Sequence, residues 1–81
     1  MNLTELTINQ VGYISVLPDD LELTRLLMEQ GFNLHTKIVL SNRGPFGGPL
    51  AFKLHNTKLV LTKKIAKQIR VVLELVIIED H

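Results

Sequence analysis

The chain has no cysteine and no tryptophan, and its 81 residues include only one tyrosine and three phenylalanines. Without thiols, neither disulfides nor thiolate-held metal can support the fold, and the composition fits a reducing compartment. So few aromatics leave little material for stacking on nucleic-acid bases. No segment approaches the roughly 20 consecutive apolar residues that span a bilayer. The opening Met1-Asn2-Leu3-Thr4-Glu5 lacks the basic start and apolar core of a secretory signal. These absences predict a cytoplasmic protein that inserts into no membrane and meets one only through a partner.

What is present is a 46% hydrophobic content, mostly Leu, Ile and Val, and a net charge of only +1. A chain this short has room for one domain, 1–81, and buries roughly 60–65% of the surface its unfolded form exposes. Charge is unevenly placed along it. Through Thr36 the net charge is −4; from Lys37 onward it is +5. Two surface regions of opposite sign are one consequence, and interleaved charges are the alternative.

Val11 to Leu17 reads as a first strand, rich in β-branched residues and stopped by Pro18, which cannot donate to a ladder. Asp19 is placed as a helix N-cap, with Glu22 three residues on completing a capping box. Leu23, Leu26, Leu27 and Gln30 follow at helical spacing, and Gly31 is positioned to end the helix in the left-handed conformation. Lys37 to Asn42 reads as a second strand with Ile38 and Leu40 on one face. Leu50 to His55 is a third, with Leu50, Phe52 and Leu54 inward. A turn at Asn56-Thr57, where asparagine tolerates positive φ, leads into the strand Lys58 to Leu61. Thr62 caps a helical turn over 63–68, and Val71 to Ile78 reads as the last strand, with Val71, Leu73, Leu75 and Ile77 on its core face. Five short strands with little helix predict a small closed or nearly closed barrel.

The six residues Gly44-Pro45-Phe46-Gly47-Gly48-Pro49 form the most informative local pattern. Three glycines suggest a phosphate loop, but prolines interrupt them and a strand follows, whereas nucleotide fingerprints open a helix. The pattern therefore reads as a tight turn. Catalysis finds no support: no serine stands in a nucleophile context, and Asp19, Asp20 and Glu22 are accounted for by the helix start. His35, His55 and His81 lie far apart and share no short ligand spacing, so no metal ligands are assigned. A weak, transient ferrous ion on N/O ligands is compatible with the composition, but no cofactor is required. Lys58, Lys63, Lys64, Lys67 and Arg70 read as a solvated face or a surface for an acidic protein, with no nucleic acid expected. Val76 and Ile78 lie opposite the core stripe of the last strand; either the helix or the N-terminal segment covers them, or they are contacts of a homo-oligomer.

The order of these features resembles the FeoA family of bacterial ferrous-iron uptake, over nearly the whole chain from Leu3 to about Ile78. Leu6 and Gly12-Tyr13-Ile14 look like the family's opening. Arg25 to Phe32 looks like its helix, which ends in glycine and an apolar residue. Arg43 to Leu50 is similar to its turn, in which Pro, an apolar residue, Gly, a variable residue and Pro recur. Lys58 to Leu61 matches its late apolar strand. Leu34-His35 stands where Pro-Gly is frequent, Asn56 where glycine is frequent, and Thr62 where a basic residue is frequent. The resemblance implies a mostly β, five-stranded SH3-like barrel with one inserted α-helix and a short helical turn before the last strand. It also implies no enzyme activity. It further implies a stand-alone cytoplasmic accessory protein that binds and assists or regulates FeoB, the GTP-dependent ferrous transporter, peripheral to the inner membrane through that partner. The alternatives are a metal-responsive module like the C-terminal domain of iron-dependent repressors, and a nucleic-acid-binding barrel. The expected partner-binding residues are Arg25 and Glu29 on the helix and Gly44, Pro45, Phe46, Gly47 and Pro49 in the turn.

Overall fold

The structure, a computed structural model, describes residues 1–74. Five antiparallel strands form one sheet in the order β4-β3-β2-β1-β5: β1 (Val11–Val16), β2 (Lys37–Arg43), β3 (Leu50–Lys53), β4 (Lys58–Leu61) and β5 (Arg70–Val72). Helix α1 (Leu21–Glu29) is inserted between β1 and β2, and the short helix α2 (Lys63–Ala66) precedes β5. The mostly β class, the inserted helix and the helical turn before the last strand are as the sequence predicts. Among the described residues β4 and β5 are the two edges and do not pair, so the sheet is open between them.

Alternation places the core. Ile38 and Leu40 of β2, Leu50 and Phe52 of β3 with Leu54 just beyond it, and Ile14 and Val71 all point into one apolar cluster. Phe32, Ile69 and Ala66 complete it from the connections. Two bulges bend the sheet around this cluster. Between Leu40 and Asn42 the register shifts by one residue, and the extra Ser41 donates its hydroxyl to the Ala51 carbonyl at 3.0 Å. Ser15 takes the same place between Ile14 and Val16, where β1 meets β5.

The N-terminal segment is a structural part that the periodicity did not reveal. Leu3–Glu5 forms a 3-10 turn closed by a capping box, in which the Asn2 side chain accepts from Thr4 N–H and Glu5 accepts from Asn2 N–H. Leu3 and Leu6 are completely buried. The same segment covers the outer edge of β5: Val71 N–H donates to Met1 O at 2.7 Å, and Leu3 N–H to Ile69 O at 3.0 Å. An edge that would otherwise offer free backbone groups is thereby paired.

Several boundaries differ from the sequence reading. The α1 N-cap is Asp20, not Asp19: one oxygen of its carboxylate accepts from the amides of Glu22 and Leu23 at 3.0 and 3.1 Å. Two adjacent aspartates after a proline are indistinguishable by pattern, and the backbone selects the one extended immediately before Leu21. Leu27 is buried and Leu23 packs on the core, but Leu26 is 60% exposed, so α1 presents only a narrow apolar stripe inward. β3 ends at Lys53, and Leu54 N–H closes the next turn on Thr57 O at 2.9 Å. Asn56 does not have positive φ; among the described non-glycine residues that conformation falls on Asn9, His35 and Phe46. β5 ends at Val72, and Leu73, expected on the core face, is exposed in a bend. Leu75 to Ile78, including the expected contacts Val76 and Ile78, lie outside the described residues.

Candidate docking surface

Helix α1 ends in a full Schellman motif. Gly31, at φ 102°, lets its own N–H reach Met28 O at 3.0 Å and that of Phe32 reach Leu27 O at 2.9 Å. Leu27 and Phe32, the apolar pair of the motif, are both buried. This anchor fixes the helix so that Arg25 and Glu29, one turn apart, stand exposed on its outer side. With Leu21, Thr24, Met28 and Asn33 they line a shallow depression. The structure thus brings Arg25 and Glu29 together.

It does not bring them to the turn. Gly31 lies against Leu54, beyond the end of β3, whereas Gly44 to Pro49 leads into the start of β3 at Leu50. The expected contact residues therefore divide between two ends of the central strands.

The turn itself is tightly closed. Arg43 pairs with Leu50 at its base, Gly44 N–H donates to Pro49 O at 2.7 Å, and Gly48 N–H donates to Pro45 O at 3.0 Å. A Cβ at Gly44 would lie 2.7 Å from Pro49 O, closer than any side chain tolerates, so only glycine permits this closure. Pro45 to Gly47 forms a 3-10 turn in which Phe46 takes φ 56° and ψ 40°. Its ring is fully exposed. The Arg43 guanidinium is turned away and donates to the carbonyls of Thr4, at 2.8 Å, and Leu6, tying the N-terminal segment to the base of the turn.

Two further features were missed in the sequence. A side chain at Gly47 would lie 3.7 Å from Lys63 Nζ, so the first lysine of α2 stands beside the turn. Thr62 sets that helix by accepting from Ile65 N–H at 3.3 Å. Neither contact is visible as spacing, since 16 positions separate Gly47 from Lys63. The second feature is a groove of about 340 Å³ lined by Thr36, Lys37, Val39, Lys53, Leu54 and His55. Val39 and Lys53 are paired across β2 and β3 there, and the two lysines of the lining favour an anion or carboxylate.

Metal ligation has little to work with in this region. His35 and His55 are both exposed, and among the described residues no three His, Asp or Glu side chains converge. No described helix is long and apolar enough to cross a membrane.

Comparison with known proteins gives the arrangement its context. The FeoA domain model matches residues 1–73. No curated protein matches. Among solved structures, an FeoA-like protein from Clostridium acetobutylicum is 27% identical, with all of this chain and 94% of that one covered and a TM-score of 0.79. The Stenotrophomonas maltophilia FeoA, a prokaryotic SH3 domain protein solved with zinc, is 28% identical over 89% of each chain, with a TM-score of 0.75. The metal-dependent transcriptional regulator MtsR shares the fold, at 24% identity and a TM-score of 0.77; 88% of this chain covers 35% of that one. The five-stranded architecture is accordingly SH3-like. The chain belongs to the FeoA family, whose members are accessory proteins of ferrous-iron transport rather than enzymes.

Proposed function

We propose that this single-domain protein is an adaptor of ferrous-iron uptake, which binds the cytoplasmic part of a FeoB-type transporter and assists or regulates it. The FeoA match over residues 1–73 is the observation that carries this reading. The geometry supports it in kind: the outward-facing features are a rigid turn and a helix face, both suited to protein recognition on a stable scaffold. The test is co-purification with the FeoB of the same cell, combined with ferrous-iron uptake in a deletion strain. Association together with reduced uptake is expected; no association and unchanged uptake would refute the adaptor.

A second reading, direct response to ferrous ion, draws on the zinc complex of the S. maltophilia relative and on the fold shared with MtsR. It predicts stabilisation by excess metal according to RT ln(1 + [L]/Kd). An anaerobic thermal melt with and without ferrous or manganous ion decides it. An unmoved midpoint removes this reading.

A further inference from the structure

We propose that the Gly44–Pro49 turn, together with Lys63, docks a short acidic segment of a partner protein that carries one apolar side chain among its carboxylates. Phe46 stands at the tip of this turn. Its φ of 56° lies in the left-handed region, where a bulky residue is an outlier. Its ring touches solvent on all sides and adds nothing to the apolar cluster below. The two hydrogen bonds that close the turn run from Gly44 to Pro49 and from Gly48 to Pro45, so neither needs the phenylalanine side chain. Within the isolated chain a glycine would serve position 46 better on both counts. The gain from the ring must therefore lie in contact with something outside the chain.

The surroundings specify what that is. Two prolines and a closed hydrogen-bond frame fix the backbone that carries the ring, so little backbone freedom is lost when a ligand covers it. Exposed aromatics on rigid loops are the residues that anchor protein interfaces. Next to Gly47, the residue that follows the phenylalanine, stands the Lys63 ammonium, with Lys64 and Lys67 on the same helical segment. No aspartate or glutamate occurs between Lys37 and Leu73, a stretch that carries eight lysines and arginines. This positive charge has no acidic neighbours in sequence and is complementary to carboxylates. Nucleic acid is the weaker fit. Phe32 and Phe52 are buried and Tyr13 is half-buried in β1, so Phe46 is the one fully exposed platform among the four aromatics. Single-strand binding uses several such platforms in succession.

The surface rests on the adaptor reading only for the identity of the protein that supplies the segment. The experiment uses the whole chain, isotope-labelled for NMR, and three probes. The first is a peptide of about ten residues with one leucine among aspartates and glutamates; the second replaces the acids by their amides; the third is a single-stranded DNA of similar length. The acidic peptide is expected to shift the amides of Gly44, Phe46, Gly47, Gly48 and Lys63, with affinity falling as salt rises. Phe46→Gly and Lys63→Glu should each weaken it at least tenfold while the remaining spectrum keeps its native dispersion. Equal binding of the amide peptide, movement of these amides by DNA alone, or shifts confined to the α1 face would each overturn the proposal. Co-purification of the transporter's cytoplasmic domain separates the two levels. Retention by Phe46→Gly equal to that of the unaltered chain overturns the docking surface and leaves the adaptor standing. Peptide docking at the turn by a chain that never retains the transporter supports the surface and removes the adaptor.

Discussion

His35 holds φ 69° although it is neither glycine nor asparagine, and its exposed ring leaves no packing reason for it. The backbone requires that conformation because the His35 amide must turn back to donate to Ile14 O at 2.7 Å, joining the end of α1's connection to β1. Left-handed φ costs an L-residue roughly 1–2 kcal/mol, and glycine returns part of this through its freer unfolded chain. His35→Gly is therefore expected to stabilise the protein by about 1 kcal/mol, read as a higher urea midpoint with unchanged slope. This position is the one where the family resemblance expects Pro-Gly and the chain offers Leu-His. What residue type could not convey is the backbone angle, because that is set by a hydrogen bond to a strand 21 positions earlier. Phe46 is the same case: the sequence marks the turn, and only the folded chain tells that the ring points outward.

Among the elements, capping separates two adjacent aspartates sharply. The Asp20 carboxylate accepts two amide hydrogen bonds at the start of α1, while Asp19 is exposed and accepts none of the helix amides. Asp20→Ala should cost about 1 kcal/mol and Asp19→Ala only a few tenths, measured as paired thermal or denaturant melts. Equal losses would return the cap to Asp19. The first four strands were legible, β4 with its observed bounds, and in β2 and β3 the alternation matches one buried face, with Ile38, Leu40, Leu50 and Phe52 all inward. At Leu73 and Glu74, expected within the last strand, the chain bends instead, and the apolar run there carries no stop signal that would mark the bend. The N-terminal segment was overlooked for the opposite reason: Leu3 and Leu6 are isolated apolar residues in a polar stretch. Both are nonetheless fully buried, and Leu3 sits where the segment covers the edge of β5. Leu3→Ala should therefore destabilise by about 3 kcal/mol through lost burial and the cavity left behind. In a domain of ordinary marginal stability that change is visible as a large fall in the melting midpoint.

For the molecule as a whole, the decisive fact is that the two expected contact regions are held apart. The helix ends against Leu54 and the turn opens onto Leu50, so β3 separates them, and the Arg25 depression and the Phe46 turn share no lining residue. The charge asymmetry of the sequence follows this division in part. Asp20, Glu22 and Glu29 sit at or on α1, while Lys63 reaches the turn. A frame of this kind should behave as two independent ends on one core. Sites without shared partners add their stability effects to within about 0.3–0.5 kcal/mol. Asp20→Ala combined with Phe46→Gly should therefore show the sum of a loss near 1 kcal/mol at the cap and a gain near 1 kcal/mol from relieved backbone strain, leaving the double variant close to the original. Binding should not add in this way. Arg25→Ala is expected to leave affinity for an acidic peptide within about twofold, since Arg25 stands at the other end of β3 from the anchor, whereas Phe46→Gly removes the anchor. If Arg25→Ala weakens the peptide as much as Phe46→Gly does, one ligand contacts both ends, and the two surfaces form a single site that wraps around β3.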